Sequence, residues 1–97
     1  MSQEDLLKYV ALHYPNHPIM LMTGFEEAFL GISVQGIHKP CAVYDYQKCI
    51  LILMDVEDLS FMEAMEHLKQ ITDIDVGDYA PIFVNMLSSF LKDYKLN

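Results

Sequence analysis

Two cysteines and four histidines are the side chains in this 97-residue sequence best suited to covalent or metal chemistry. A thiol becomes a useful nucleophile when a nearby base takes its proton and a third group orients that base. Cys41 and His38 form the more plausible pair, whereas Cys49 lies in an apolar stretch where a thiol stays protonated and inert. No recognised nucleophile motif surrounds Cys41. His13 and His17 are spaced as metal ligands on one helix face would be, but Pro15 between them breaks such a helix. Neither cysteine sits in a Cys-x-x-Cys pair. Ordinary surface or capping histidines and reduced, packed thiols are therefore the simpler account. Asp73, Asp75 and Asp78 resemble the opening of a calcium loop. Their glycine falls at the fifth place instead of the sixth, however, and the twelfth is Val84, not a bidentate glutamate. The four glycines, at 24, 31, 36 and 77, are scattered and make no phosphate-cradling loop. No metal or other cofactor is implied, and the expectation is a protein without catalysis of its own.

Charge narrows the partners. Fourteen acidic residues stand against six basic ones, a net charge of −8. Such a surface repels phosphate backbones and anionic lipid, and suits a basic partner, although acidity also serves simply to keep a protein in solution. The first residues, Met1-Ser2-Gln3-Glu4-Asp5, are acidic and polar, unlike a secretory signal. From Cys41 onward the longest apolar run is Cys49 to Met54, far too short to span a bilayer. These features lead to the expectation of a single cytoplasmic domain covering residues 1–97, with no membrane contact.

The elements that must carry these residues read mainly as helix. Ser2 caps a first helix with Asp5 three positions on; Leu6, Leu7, Val10 and Tyr14 share a face, and Pro15 ends it. Thr23 and Glu26 suggest a second capping box. Phe25, Ala28, Phe29 and Ile32 then recur at helical spacing, and Gly36 is suited to stop that helix. Gly31, Ser33 and Val34 are mediocre helix formers, so a strand over 29–34 is the alternative. Cys41–Tyr44 predicts a short strand, and Asp45 is a good N-cap for a helix that is apolar nearly all round. Asp55 to Asp58 reads as an acidic connection. Ser60 and Glu63 form the cleanest capping box, followed by Phe61, Ala64, Met65, Leu68 and Thr72 on one face, with Met62 beside it. Residues 72–80 read as a loop. Pro81–Val84 predicts a strand suited to pair with 41–44, and Met86, Leu87, Phe90, Leu91 and Tyr94 predict a last helix. The expected fold is α+β and mainly α: a compact bundle of about five helices with a small two- or three-stranded sheet at most.

The helices after Asp45 and Ser60 are also open to reading as a helix-turn-helix, which would make the chain a transcription-associated regulator. Between Asp45 and Thr72, however, six acids face two lysines, and the chain has no arginine, the usual reader of guanine. A core helical hairpin without direct nucleic-acid contact is the better reading. Seven methionines are many for this length. At helical spacing they are mostly core, while exposed ones make adaptable binding surfaces.

The string Val43-Tyr44-Asp45-Tyr46-x-Lys48-Cys49-Ile50-x-x-Leu53-Met54 is followed by Ser60-x-x-Glu63-Ala64-x-Glu66 and then by Val76-Gly77-Asp78-x-Ala80-Pro81-Ile82-Phe83. With Phe25-Glu26-Glu27-Ala28-x-x-Gly31 upstream, this order resembles a family of small uncharacterised proteins of bacteria and their phages, over roughly 60 residues. The family usually has an asparagine-containing stretch where this chain has Lys69 to Asp75, and it often stops near the Pro-x-Phe segment. The first helix and the segment from Met86 to Leu96 lie outside the match and are expected either to enlarge the core or to form a homodimer contact. The resemblance transfers no activity. It implies a phage or mobile-element protein that binds a host protein and inhibits or modulates it, anti-defence or anti-CRISPR action being one form. Clustered carboxylates can take the place of phosphate in a basic nucleic-acid-binding groove. The candidates for that contact are Asp55, Glu57, Asp58, Asp73, Asp75 and Asp78, whose plainer role is to solvate loops.

Overall fold

The computed structural model describes residues 2–34, 39–72 and 77–86. The element order is α1 (Gln3–His13), a single 3-10 turn (Glu26–Ala28), β1 (Phe29–Ile32), β2 (Ala42–Asp45), α2 (Tyr46–Val56), α3 (Phe61–Thr72) and β3 (Ile82–Val84). The architecture is thus α+β with more helix than strand. Three α-helices stand among the described residues where the sequence pattern predicts about five. The expected last helix lies outside the described residues from 87 onward, as do Gly36 and His38.

The local signals act as their chemistry requires. Asp5 N–H donates to Ser2 Oγ at 3.1 Å, and the Ser2 N–H reaches the Asp5 carboxylate, closing a capping box at α1. The side chain of Asp45 accepts from Lys48 N–H at 3.2 Å to start α2. At α3 the box is reciprocal: Glu63 N–H donates to Ser60 Oγ at 3.2 Å, and Ser60 N–H donates to Glu63 Oε1 at 2.9 Å. That backbone donor, with the Ser60 hydroxyl beside it, holds the Glu63 carboxyl below its ordinary range. On α1, Leu6 and Val10 are buried, but Leu7 is exposed, so the apolar face is narrower than the spacing implies.

The segment from Thr23 departs from expectation. Phe25 precedes the 3-10 turn with no side-chain cap, and Gly24 takes a left-handed φ of 94°. One turn later the chain enters β1, so Thr23 and Glu26 start no α-helix. β1 pairs antiparallel with β2, Phe29 opposite Tyr44 and Gly31 opposite Val43, with a bulge that leaves Leu30 as the extra residue. β3 pairs parallel with the other edge of β2, Val43 with Ile82 and Tyr44 with Phe83. Tyr44 is therefore the centre of a three-strand aromatic ladder. Its ring meets Phe29 edge-on at 5.7 Å and stacks on Phe83 at 6.0 Å. Its hydroxyl accepts Met22 N–H at 2.8 Å. The core joins this face of the sheet (Ala42, Tyr44) to Ala28, to Cys49, Ile50 and Leu53 of α2, and to Ala64 and Leu68 of α3.

Helix α2 extends through Val56, so Asp55 belongs to its last turn and not to a connection. Glu57 is the C-cap, its N–H donating to Leu53 O at 3.0 Å. Asp58 follows with φ 53°, the left-handed position that commonly falls to glycine after a helix. Asp58→Gly is expected to raise stability by about 0.5–1 kcal/mol by relieving that conformation. A urea midpoint that stays level or drops would show that the aspartate side chain compensates for its backbone.

Candidate interaction surface at the α2–α3 corner

Of the six carboxylates singled out in the sequence, Asp55, Glu57 and Asp58 come together around the end of α2, all exposed. Asp78 sits elsewhere. It lies in the turn before β3, where its carbonyl oxygen is 3.1 Å from Cys41 Sγ at the start of β2. Asp73 and Asp75 lie outside the described residues.

Two acids not assigned to the site by sequence reasoning join the first three. Glu26 and Glu27, on the 3-10 turn, line a hollow of about 390 Å³ with Gly24, Ile52, Asp55 and Val56. Packing of the 3-10 turn against α2 creates this meeting. The only signal in the sequence is the Glu26-Glu27 pair beside Gly24, and its role as a cap partner hid it. The hollow has an aliphatic side, Ile52 and Val56, and an acidic rim.

The electrostatics of the corner are one-sided. The C-terminus of a helix is the negative pole of its dipole, where cations stabilise and carboxylates cost about 0.3–1 kcal/mol each. The last turn of α2 has no basic residue. Lys48, in the first turn of α2, and Lys69, in the last turn of α3, stand at the helix ends remote from the corner, and no lysine or arginine lies between them. Beside these carboxylates Val56 is 71% exposed, Phe61 45% and Met62 72%. Met62, beside the packed face of its helix, thus faces solvent.

The other chemical candidates fall into structural places. His13 packs its ring on Tyr9 at 4.5 Å, while His17 Nδ1 lies 3.0 Å from the Tyr79 hydroxyl, so the two histidines serve different neighbours. Among the described residues no group of three or more His, Cys, Asp or Glu is placed to hold a metal ion. The Cys41 thiol is buried and within hydrogen-bonding reach of the Lys39 and Asp78 carbonyls; its sequence neighbour His38 lies outside the described residues. Cys49 has no exposed surface, and burial, with the Asp45 charge adding to it, pushes its thiol up to about 12. A second hollow, about 210 Å³, is lined by Met20, Leu21, Met22, Ile71, Thr72, Ala80, Pro81 and Phe83. It can hold a small apolar group, but among the described residues Thr72 is the only polar side chain in its lining.

As a helix-turn-helix, α2 and α3 would offer DNA the exposed Phe61, Met62, Glu63 and Glu66, a surface of the wrong sign for phosphate. Among the described residues no helix is long and apolar enough to cross a membrane. No protein-family model, curated protein or solved structure matches the chain.

Proposed function

We propose that this chain is a non-enzymatic acidic protein, encoded by a phage or mobile element, that binds a host protein and inhibits or modulates it by covering a basic groove. Blocking a nucleic-acid-binding defence protein is the form of action that fits best. The observation that carries the reading is the meeting of Glu26 and Glu27 with Asp55 across the hollow, with Glu57 and Asp58 next along the chain, at a helix end whose last turn has no basic residue. An arrangement that costs folding free energy and stays exposed is explained by a cationic partner. The resemblance of residues 25–83 to small bacterial and phage proteins supports the origin, and the absence of any arginine argues against direct contact with DNA.

Affinity capture from a bacterial lysate tests this, with Asp55→Lys/Glu57→Lys as the comparison. The wild type is expected to retain a basic protein at physiological salt, and the double variant to lose it. The same two substitutions are expected to raise stability by about 0.3–1 kcal/mol each, because they place cations at the negative pole of α2. Loss of capture with a higher melting temperature separates a binding role from mere damage to the fold. Equal capture by both proteins, or none by either at low and physiological salt, would overturn the proposal.

A further inference from the structure

The acidic rim adjoins apolar side chains that the fold leaves open, and the two together define a partner more closely than charge does. Val56 is shared: it lines the hollow and is also largely exposed at the mouth of the corner. Phe61 and Met62 begin α3, four residues separate it from the end of α2, and both side chains are exposed. An exposed methionine and phenylalanine a few residues along the chain from Asp55, Glu57 and Asp58 suit a ligand that brings apolar contact and positive charge in the same short length. We infer that the α2–α3 corner, from the Glu26–Asp55 hollow to Met62, docks a basic amphipathic helix of the partner protein. Its apolar side lies on Val56, Phe61 and Met62, and one of its lysines or arginines lies in the hollow. There the aliphatic stem packs on Ile52 and Val56 while the charged head meets Glu26, Glu27 and Asp55. Charge complementarity selects this occupant. A neutral apolar segment would leave five carboxylates unpaired around it, and nucleic acid would meet charge of its own sign.

This inference rests on the reading of the chain as a binder of basic surfaces, and its test is built to fail separately. The probes are two lysine–leucine peptides of identical composition, one with leucines at helical spacing and one scrambled so that no helix face is apolar. Binding is followed by calorimetry and by the helicity the peptide gains. The amphipathic peptide is expected to bind at least about tenfold more tightly than its isomer. Val56→Ser/Met62→Ser is expected to remove that preference while leaving the melting temperature unchanged, since both side chains are exposed. Equal affinity for the two peptides, or a preference that survives the double variant, would overturn the docking surface and leave a purely electrostatic binder standing. Failure of both peptides alongside intact lysate capture would likewise sink the inference alone. A wild-type dimer that Met62→Ser dissociates would assign the patch to a second copy of the chain instead.

Discussion

Tyr44→Ala is expected to lower the free energy of unfolding by about 3–5 kcal/mol, the range for deleting a large buried ring. Tyr44 has no exposed surface, and its ring touches both neighbouring strands. Its removal leaves Phe29 and Phe83 facing a void and takes the acceptor from Met22 N–H. A domain of this size commonly has only about 5–15 kcal/mol to lose. At about 4–8 °C per kcal/mol, the melting temperature should drop by at least about 12 °C. Tyr44→Phe separates the two contributions. The ring stack survives, and the part-buried Met22 amide loses its partner, at a cost of about 1–3 kcal/mol. Urea unfolding followed by circular dichroism reads both variants. An alanine variant within about 1 kcal/mol of wild type would mean that the ladder is not what joins the three strands.

Raising the pH should unfold the protein through Cys49. Burial, then the nearby Asp45 charge, lifts this thiol from an ordinary 9.0 to about 12. The neutral form is therefore the one the fold accepts. The resulting stability is complete below about pH 9 and is lost as pH climbs from there toward about 12. At about 1.4 kcal/mol per unit, the full loss approaches about 4 kcal/mol. Tyr44 is also raised, chiefly by burial, partly opposed by the Met22 hydrogen bond, with the charges of Cys49 and Glu26 adding to the rise; its contribution is lost only above pH 10. The interval from pH 9 to 10 consequently isolates the thiol. In a Cys41→Ala background the urea midpoint should fall across that interval, and Cys49→Ala should flatten the curve. A disulfide reagent at pH 8 should find Cys49 only after unfolding. Reaction of the folded protein at the rate of a free thiol would refute the assignment.

Most signals confined to one turn of chain are legible in the residue types, the Thr23–Glu26 pair being the exception. The caps at Ser2, Asp45 and Ser60 depend on a side chain reaching a backbone group three residues away, and each lies where its spacing puts it. The strands at 42–45 and 82–84, and their pairing, follow from short apolar runs bounded by proline or by a cap. The segment around Phe29 defeated the same method because two patterns competed. Helical spacing of Phe25, Ala28, Phe29 and Ile32 was genuine, but a contact far along the chain, Phe29 against the edge of Tyr44, decided in favour of strand. Local propensity is a weak prior against such packing. The site divides in the same way. Asp55, Glu57 and Asp58 are neighbours in sequence and were found together, whereas Glu26 and Glu27 reach Asp55 only because the 3-10 turn packs on α2. Asp78 looked equivalent by composition, yet it belongs to the turn that closes on Cys41.

The parallel junction of β2 and β3 governs the order in which the molecule can assemble. An antiparallel partner such as β1 needs only a short return of the chain, but Ile82 cannot lie beside Val43 until both intervening helices have been made and folded back. During synthesis, the edge of β2 that will receive β3 stays open until Ile82–Val84 has left the ribosome. A nascent chain stalled before Ile82 carries Tyr44 with one aromatic neighbour instead of two and an unpaired backbone edge beside it. That interval, between completion of α3 and arrival of Phe83, is when the protein is most exposed to aggregation and proteolysis.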